Sequence, residues 1–271
     1  MFKIVKKDRI APENYSYWVE APDIAQAYEA GQFIILRIDE KGERIPLTIV
    51  DTDLQKGLIR IIFSVVGATS YKLSLLGVGD QIKDVVGPLG NKTHIENYGT
   101  AVVVGGGVGI APIYPITRAL KRAGNKIVSI LGARNKELLI LKDDMEKISQ
   151  LLIVTSDDGS VGKKGFVTDA LEELILNKDR SVDFVLAVGP LVMMRAVSDL
   201  TKKYGIKTMV SLNTMMVDGT GMCGCCRCTV GSETKFTCVH GPEFDAHKVD
   251  FDELVNKQGM FHKKEKESYK R

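Results

Sequence analysis

In the first hundred residues apolar positions recur in short runs separated by glycine. Lys3–Lys6, Tyr15–Glu20, Gln32–Ile38, Pro46–Asp51, Leu58–Val66 and Gln81–Val86 alternate or run apolar, with Gly31, Gly42, Gly57, Gly77, Gly79 and Gly87 as punctuation, so each predicts a strand. Only Ser70–Leu76 has a helical pattern here. Six short strands at this spacing predict a small closed antiparallel barrel.

At Thr100 the rhythm changes to strand, glycine loop, helix. Strands are expected at Ala101–Val104, Lys126–Leu131, Leu151–Thr155, Val182–Val188 and Lys207–Leu212. Helices are expected at Ile110–Arg122, Lys136–Ile148, Thr168–Leu176 and Leu191–Tyr204. Five strands alternating with helices predict a doubly wound parallel sheet. From Asn213 onward no long periodic segment is visible. The expected domains are therefore a barrel over 1–97, an α/β domain over 98–212, and a small C-terminal lobe with a basic tail over 213–271.

At 271 residues and 44% hydrophobic, the chain has the size of two ordinary domains plus a lobe. The tail 262–271 holds five Lys/Arg against two Glu, a surplus equal to the whole net charge of +3, so the body is close to neutral. A neutral body offers no electrostatic attraction for nucleic acid or an anionic membrane, and the tail reads as a solvated terminus. The N-terminus lacks the apolar core of a signal peptide. The most apolar stretch, Thr100–Ile116, is interrupted by four glycines and two prolines, so no membrane span is expected and the chain is expected in the cytoplasm.

All five cysteines fall between Cys223 and Cys238. A disulfide framework would be spread through the fold, so this concentration points to metal chemistry in a reducing compartment. From Asp218 the spacing is D-x4-C-x2-C-x11-C, through Cys223, Cys226 and Cys238. The plant-type [2Fe–2S] loop is C-x4-C-x2-C with a distant fourth cysteine, and here a carboxylate stands first. Gly219, Gly221 and Gly224 between these residues suit a loop wrapped around an inorganic cluster. A zinc site is the competing reading, with Cys223 and Cys226 joined by Cys228, Cys238, His240 or His247, although the second C-x2-C unit of a zinc knuckle is missing. Cys225 and Cys228 are surplus to the cluster set.

Gly105-Gly-Gly-Val-Gly109, between a strand and a helix, predicts a phosphate cradle, because glycines let the backbone approach a pyrophosphate at a helix N-terminus. The acidic ribose partner of the usual fingerprint is absent. In its place the second strand ends at Arg134, which suits a 2′-phosphate or a helix cap. Gly189-Pro190 offers a second tight turn at the same edge. In the barrel, Arg44-Ile-Pro-Leu-Thr48 and Gly67-Ala-Thr69-Ser70 put donors beside breaks in the strand pattern, and Thr69 and Ser70 can cap the helix that follows.

The order barrel, dinucleotide sheet, C-terminal cysteine lobe resembles the ferredoxin-NADP reductase superfamily. Within it, Met216-Val-Asp218-Gly-Thr-Gly-Met-Cys223-Gly-x-Cys226-Arg with Cys238-Val-x-Gly-Pro-Glu-Phe-Asp245 resembles the branch of dihydroorotate dehydrogenase B electron-transfer subunits and small subunits of NADH-dependent reduced ferredoxin:NADP oxidoreductases. The dihydroorotate group has cysteine where this chain has Asp218, so the aspartate points to the second group. The resemblance implies a flavin-binding barrel, with Arg44, Pro46, Leu47 and Thr48 lining FAD and Gly67, Thr69 and Ser70 at its pyrophosphate. The superfamily's arginine stands three residues before its hydroxyl, whereas Arg44 precedes Thr48 by four. Gly106, Gly107, Val108 and Gly109 match the loop for NAD(H) or NADP(H), and Asp218, Cys223, Cys226 and Cys238 match the [2Fe–2S] ligands. The implied activity is electron transfer between nicotinamide, FAD and cluster, with the flavin converting hydride to single electrons and no general base. The implied partner is a larger glutamate-synthase-like subunit with further flavin and iron-sulfur centres, in an electron-bifurcating assembly that reaches ferredoxin. The alternatives are a dihydroorotate dehydrogenase B electron-transfer subunit and a zinc-stabilised module without redox activity.

Overall fold

The computed structural model describes residues 1–260. The basic tail 262–271 lies outside the described residues. The described chain forms two compact units: Met1–Lys92 with Asn213–Pro242 and residues 252–260, and Thr93–Leu212 with Glu243–Phe251.

The first unit contains β1 (Phe2–Ala11), β2 (Asn14–Glu20), α1 (Pro22–Ala27), β3 (Phe33–Arg37), β4 (Ile45–Asp53), β5 (Leu58–Ser64), α2 (Ala68–Leu75), β6 (Gln81–Ile82) and β7 (Asp84–Leu89). These seven strands run in the order β6-β1-β2-β5-β4-β3-β7. The segment expected as one strand over Gln81–Val86 breaks at Lys83. Its first piece pairs with β1 through Phe2 and Ile82, and its second with β3 through Arg37 and Asp84. The sixth segment therefore touches both edges of the sheet and nearly closes the barrel, which removes free edges. Ile34, Leu36, Ile49, Ile59, Ile61 and Phe63 fill the interior. Buried Tyr17 donates its hydroxyl to the carbonyls of Leu73 (2.8 Å) and Leu76 (3.0 Å), tying the end of α2 to the barrel.

The second unit contains β8 (Thr100–Gly106), α3 (Ile110–Arg122), β9 (Lys126–Ala133), α4 (Lys142–Ile148), β10 (Leu151–Ser156), β11 (Lys163–Lys164), α5 (Val167–Leu176), β12 (Phe184–Val188), α6 (Leu191–Lys203) and β13 (Lys207–Ser211). The sheet order β11-β10-β9-β8-β12-β13, extended by an edge strand at Glu243–Asp245, places the five expected parallel strands third, second, first, fourth, fifth. β8 and β12, neighbours in space but not in sequence, form the switch point where ligands of such sheets bind. The helix expected over 136–148 is interrupted. Asn135 caps a short turn by accepting from the Leu138 N–H at 3.2 Å, Ile140 is buried, and the chain passes through a left-handed Leu141 (φ 52°) before α4 begins. The run Leu138–Leu141 has no helical period, so anchoring Ile140 wins over continuing the helix.

The segment beyond 212 is divided. β14 (Arg227–Val230), β15 (Glu233–Phe236), α7 (Thr237–His240) and α8 (Phe251–Gly259) lie with the barrel except for Phe251, whereas β16 (Glu243–Asp245) adds an antiparallel edge to the parallel sheet. α8 has no counterpart in the sequence reading; its apolar anchors are only Phe251 and Leu254.

Within the second unit Glu243 accepts a hydrogen bond from the Thr93 hydroxyl, and burial pushes its carboxyl up to about 7 against that bond. A carboxyl raised above its unfolded value of 4.5 stabilises the fold fully below that value and ceases to do so as pH rises through about 7. Glu243→Gln should therefore flatten the loss of stability of the wild type between those pH values, read as denaturation midpoints across a pH series.

Candidate redox cofactor sites

The cysteine loop sits on the outer face of β3. Along that strand Ile34 and Leu36 point into the barrel, whereas Phe33 and Ile35 form a second apolar cluster with Met216, Cys226 and Cys238, flanked by Leu89 and Phe236. The loop approaches so closely that a Cβ on Gly219 (φ 76°) would lie 2.6 Å from Ile35 Cγ1, and one on Gly221 (φ 91°) 2.6 Å from Val239 Cγ2. Glycine is required at both positions by conformation and by space.

Four donors come together as two pairs. Cys223 Sγ lies 3.3 Å from Asp218 Oδ1, and Cys226 Sγ lies 3.1 Å from Cys238 Sγ, with all five cysteines free. Among the described residues no three donors converge on one point, as a single metal ion demands. Two ligand pairs suit a binuclear cluster, in which each iron takes two protein ligands. Of the histidines offered by the zinc reading, His240 Nδ1 accepts from the Phe236 N–H at 2.9 Å, and His247 in the second unit pairs with Thr201 at 3.0 Å. Exposed Cys225 adjoins the loop, and Cys228 is buried beside the Thr237 hydroxyl at 3.6 Å.

The donor electrostatics are uneven. Burial, then the hydrogen bond with Cys226, pushes the Cys238 thiol up to about 12, and burial raises Cys228. Backbone hydrogen bonds at Cys225 and Asp218 lower Cys223, while its thiol raises Cys225. For Asp218, desolvation acts upward, but the N–H groups of Thr220 (3.2 Å) and Cys223 (3.1 Å) and the Cys223 and Thr220 side chains outweigh it and hold the carboxyl at about 2. This corner of the loop is thus an anionic oxygen donor at neutral pH, and the inner thiols shed protons on meeting a metal cation.

In the second unit the glycine loop closes the switch point. A Cβ on Gly109 would lie 2.4 Å from the Val188 carbonyl oxygen, and one on Gly106 2.4 Å from Met193 Sδ, so both glycines let β8 and α3 pack against β12 and α6. Gly107 (φ 56°) has nothing within 4 Å of its Cβ position, and Val108 beside it is exposed, leaving the turn open for a ligand. Arg134 is exposed one residue beyond β9; the cap of the following turn is Asn135. Met193, which packs under both Gly106 and Gly189, carries no sequence signal.

On the barrel, Pro46, Leu47 and Thr48 are half-buried on β4 opposite Ile35, Ile34 and Phe33, and Arg44 is exposed just before the strand. Gly67 is extended with open space where a Cβ would be. The Ser70 hydroxyl accepts from the N–H groups of Val66 (2.9 Å) and Gly67 (3.0 Å), fixing the start of α2, and the Thr69 hydroxyl donates to Glu43 at 2.9 Å. Glu43 was not singled out by spacing. Nor was Thr214, whose Oγ1 is buried without a hydrogen-bond partner among the described residues.

Comparison with known proteins agrees with this arrangement. Residues 213–250 match the iron-sulfur cluster binding domain of dihydroorotate dehydrogenase B, and residues 103–199 match the oxidoreductase NAD-binding domain. The chain is 51% identical over 269 residues to a dihydroorotate dehydrogenase B (NAD(+)) electron transfer subunit homolog of Thermotoga maritima, covering 99% of this chain and 94% of the relative. It is 30% identical to the electron transfer subunit of Fusobacterium nucleatum, covering 90% and 95%. A chain from a solved NADH-dependent reduced ferredoxin-NADP oxidoreductase, described for flavin-based electron bifurcation, is 50% identical and superposes with a TM-score of 0.94 over 100% of this chain and 97% of its own. Among the described residues no helix is long and apolar enough to cross a membrane. The chain belongs to the family of dihydroorotate dehydrogenase B electron transfer subunits and their homologues, oxidoreductases with the ferredoxin-NADP reductase fold.

Proposed function

We propose that this chain is the NAD(H)-linked arm of a cytoplasmic, electron-bifurcating ferredoxin/NADP/NAD transhydrogenase, holding FAD and a [2Fe–2S] cluster. The observation that carries the reading is the pairing of Asp218 with Cys223 and of Cys226 with Cys238, in a chain 50% identical to a subunit of the ferredoxin-NADP oxidoreductase. When bound, FAD exchanges electron pairs with nicotinamide and single electrons with the cluster.

The chain's own residues supply position and field. Gly106, Gly107, Val108 and Gly109 would present the end of β8 and the start of α3 to the dinucleotide phosphates, where backbone N–H groups favour anions. Arg134 would meet a 2′-phosphate or ribose at the end of β9. Thr48, Leu47 and Pro46 would line the flavin ring, with Arg44, Gly67, Thr69 and Ser70 at the diphosphate. Asp218 and Cys223 would hold one iron, Cys226 and Cys238 the other. Carboxylate is a harder donor than thiolate, so the Asp218 end of the cluster differs electronically from the end sealed against Phe33 and Ile35.

A larger glutamate-synthase-like subunit, carrying further flavin and iron-sulfur centres, is the partner this reading requires. The second reading, service to a dihydroorotate dehydrogenase, is favoured by the names of several relatives, including the one from Thermotoga maritima. Co-purification separates them: a glutamate-synthase-like polypeptide is expected, and a dihydroorotate dehydrogenase in its place would overturn the reading.

Anaerobic chain should contain about two iron and two sulfide per protomer with a visible flavin band. Asp218→Ala should lose most of the iron, whereas Cys225→Ala and Cys228→Ala should keep it; full iron and an unaltered spectrum in Asp218→Ala would remove the carboxylate from the ligand set. At the other site, Gly109→Ala forces a Cβ against the Val188 carbonyl, a change of the kind that costs about 1–3 kcal/mol. It should lower the thermal midpoint and weaken NAD(H) binding in calorimetry while leaving the iron content unchanged.

A further inference from the structure

The proposed ligands Cys226 and Cys238 stand at the two ends of one hairpin. Cys226 immediately precedes β14, and only Thr237 separates Cys238 from β15. Fully buried Thr237 joins the two ends: its N–H (3.1 Å) and its hydroxyl (3.0 Å) both donate to the Cys226 carbonyl. Among the described residues β14 and β15 pair only with each other, and a two-stranded hairpin by itself is marginally stable. Its turn, Gly231-Ser232, lies between Val230 and Glu233, a pair that a two-residue turn closes with hydrogen bonds. By alternation, Thr229 and Arg227 turn their N–H and carbonyl groups to the edge that β15 does not cover. There α8, in the same unit, supplies what a third strand would. Glu253 Oε2 accepts from the Thr229 N–H at 2.8 Å, and Lys257 Nζ donates to the Arg227 carbonyl at 3.2 Å. The two side chains stand one turn apart and pair with each other, and Leu254 between them is buried. Desolvation acts upward on the Glu253 carboxyl, but its bonds to Lys257 and Thr229 outweigh it and hold the group below its ordinary value of 4.5, so the acceptor is ionised at neutral pH.

We propose that Glu253 and Lys257 are positioning residues for the [2Fe–2S] cluster, holding Cys226 against Cys238 through the outer edge of β14. This rests on the cluster reading above and extends it to two residues of α8, outside the cysteine loop. Neither side chain touches a proposed ligand; both act on the strand that begins at Arg227, the neighbour of Cys226. The ion pair between them would contribute little if it stood alone in water. What matters is the pair of charge-assisted bonds to the backbone, which satisfy an edge that would otherwise fray from the ligand end. With that edge held, the two ligands move as one body. Residues beyond the ligands orient metal sites in this way.

The test uses the full-length chain with its cluster and reads two quantities: the rate of iron release to a chelator and the EPR g values of the reduced cluster. Glu253→Ala and Lys257→Ala should each release iron about tenfold faster, the lower end of what partners of metal ligands contribute, and each should shift the g values. Asn256→Ala, on the exposed side of the same helix, should match the wild type in both. Glu253→Gln, which loses the charge but keeps an acceptor for the Thr229 N–H, should restore most of the wild-type rate and its g values. If Glu253→Ala does not fold, Lys257→Ala and Glu253→Gln give the same readings. Unchanged release in the alanine variants would overturn the proposal. So would faster release with unchanged g values, which marks a loss of stability alone, or a glutamine variant as fast as the alanine one. In all of these outcomes the wild-type cluster stands; a wild-type chain without iron and sulfide would overturn the cluster reading as well.

Discussion

The packing of the cysteine loop on the outer face of β3 is the contact on which the redox arrangement depends. A barrel strand with one face in water alternates apolar and polar residues, but Phe33–Leu36 is apolar throughout. Ile34 and Leu36 serve the barrel core, and Phe33 and Ile35 serve Cys226 and Cys238. The same strand pairs with β4, which carries Pro46, Leu47 and Thr48. The residues proposed to line the flavin thereby stand on the strand next to the one against which the proposed cluster ligands pack, and the loop carries glycine where its backbone comes within contact distance of Ile35. Rigid elements hold such geometry more tightly than loops alone.

The loop's electrostatics follow from that seating. Cys226 and Cys238 are pressed into apolar surroundings, whereas Cys223 and Asp218 stand at the exposed end, held by backbone N–H groups. Burial raises the inner Cys238 thiol to about 12, whereas at the exposed end hydrogen bonds from Thr220 and Cys223 hold the Asp218 carboxylate at about 2 against desolvation. In the second unit the glycines act in a similar way: Gly106 and Gly109 bring elements into contact, and Gly107 leaves its turn open.

Much of this was legible in the chain. The five parallel strands, their alternation with helices and the glycine loop follow from period and punctuation, because a strand buried on both faces is a continuous apolar run. The proposed ligand set rests on cysteine spacing, and Asp218 enters it through its place in that spacing. Other features left weaker traces. The break at Lys83 is a matter of which neighbours the two halves of one segment find. Leu138–Leu141 carries enough apolar residues for a helix, yet Ile140 is anchored in the core and the helix starts again at Lys142. α8 was missed because two buried residues, Phe251 and Leu254, are too few to set a period.

The sequence by itself determined the local elements and the chemical identity of the donors, since both are written in neighbouring residues: alternation, glycine placement and the D-x4-C-x2-C run. Only the tertiary structure decided which donors pair, that 213–242 joins the barrel while β16 extends the parallel sheet, and that Glu43 faces Thr69 across 26 positions. Those outcomes depend on surfaces brought together from distant parts of the chain, where shape and burial select the partner and local pattern carries no record of it.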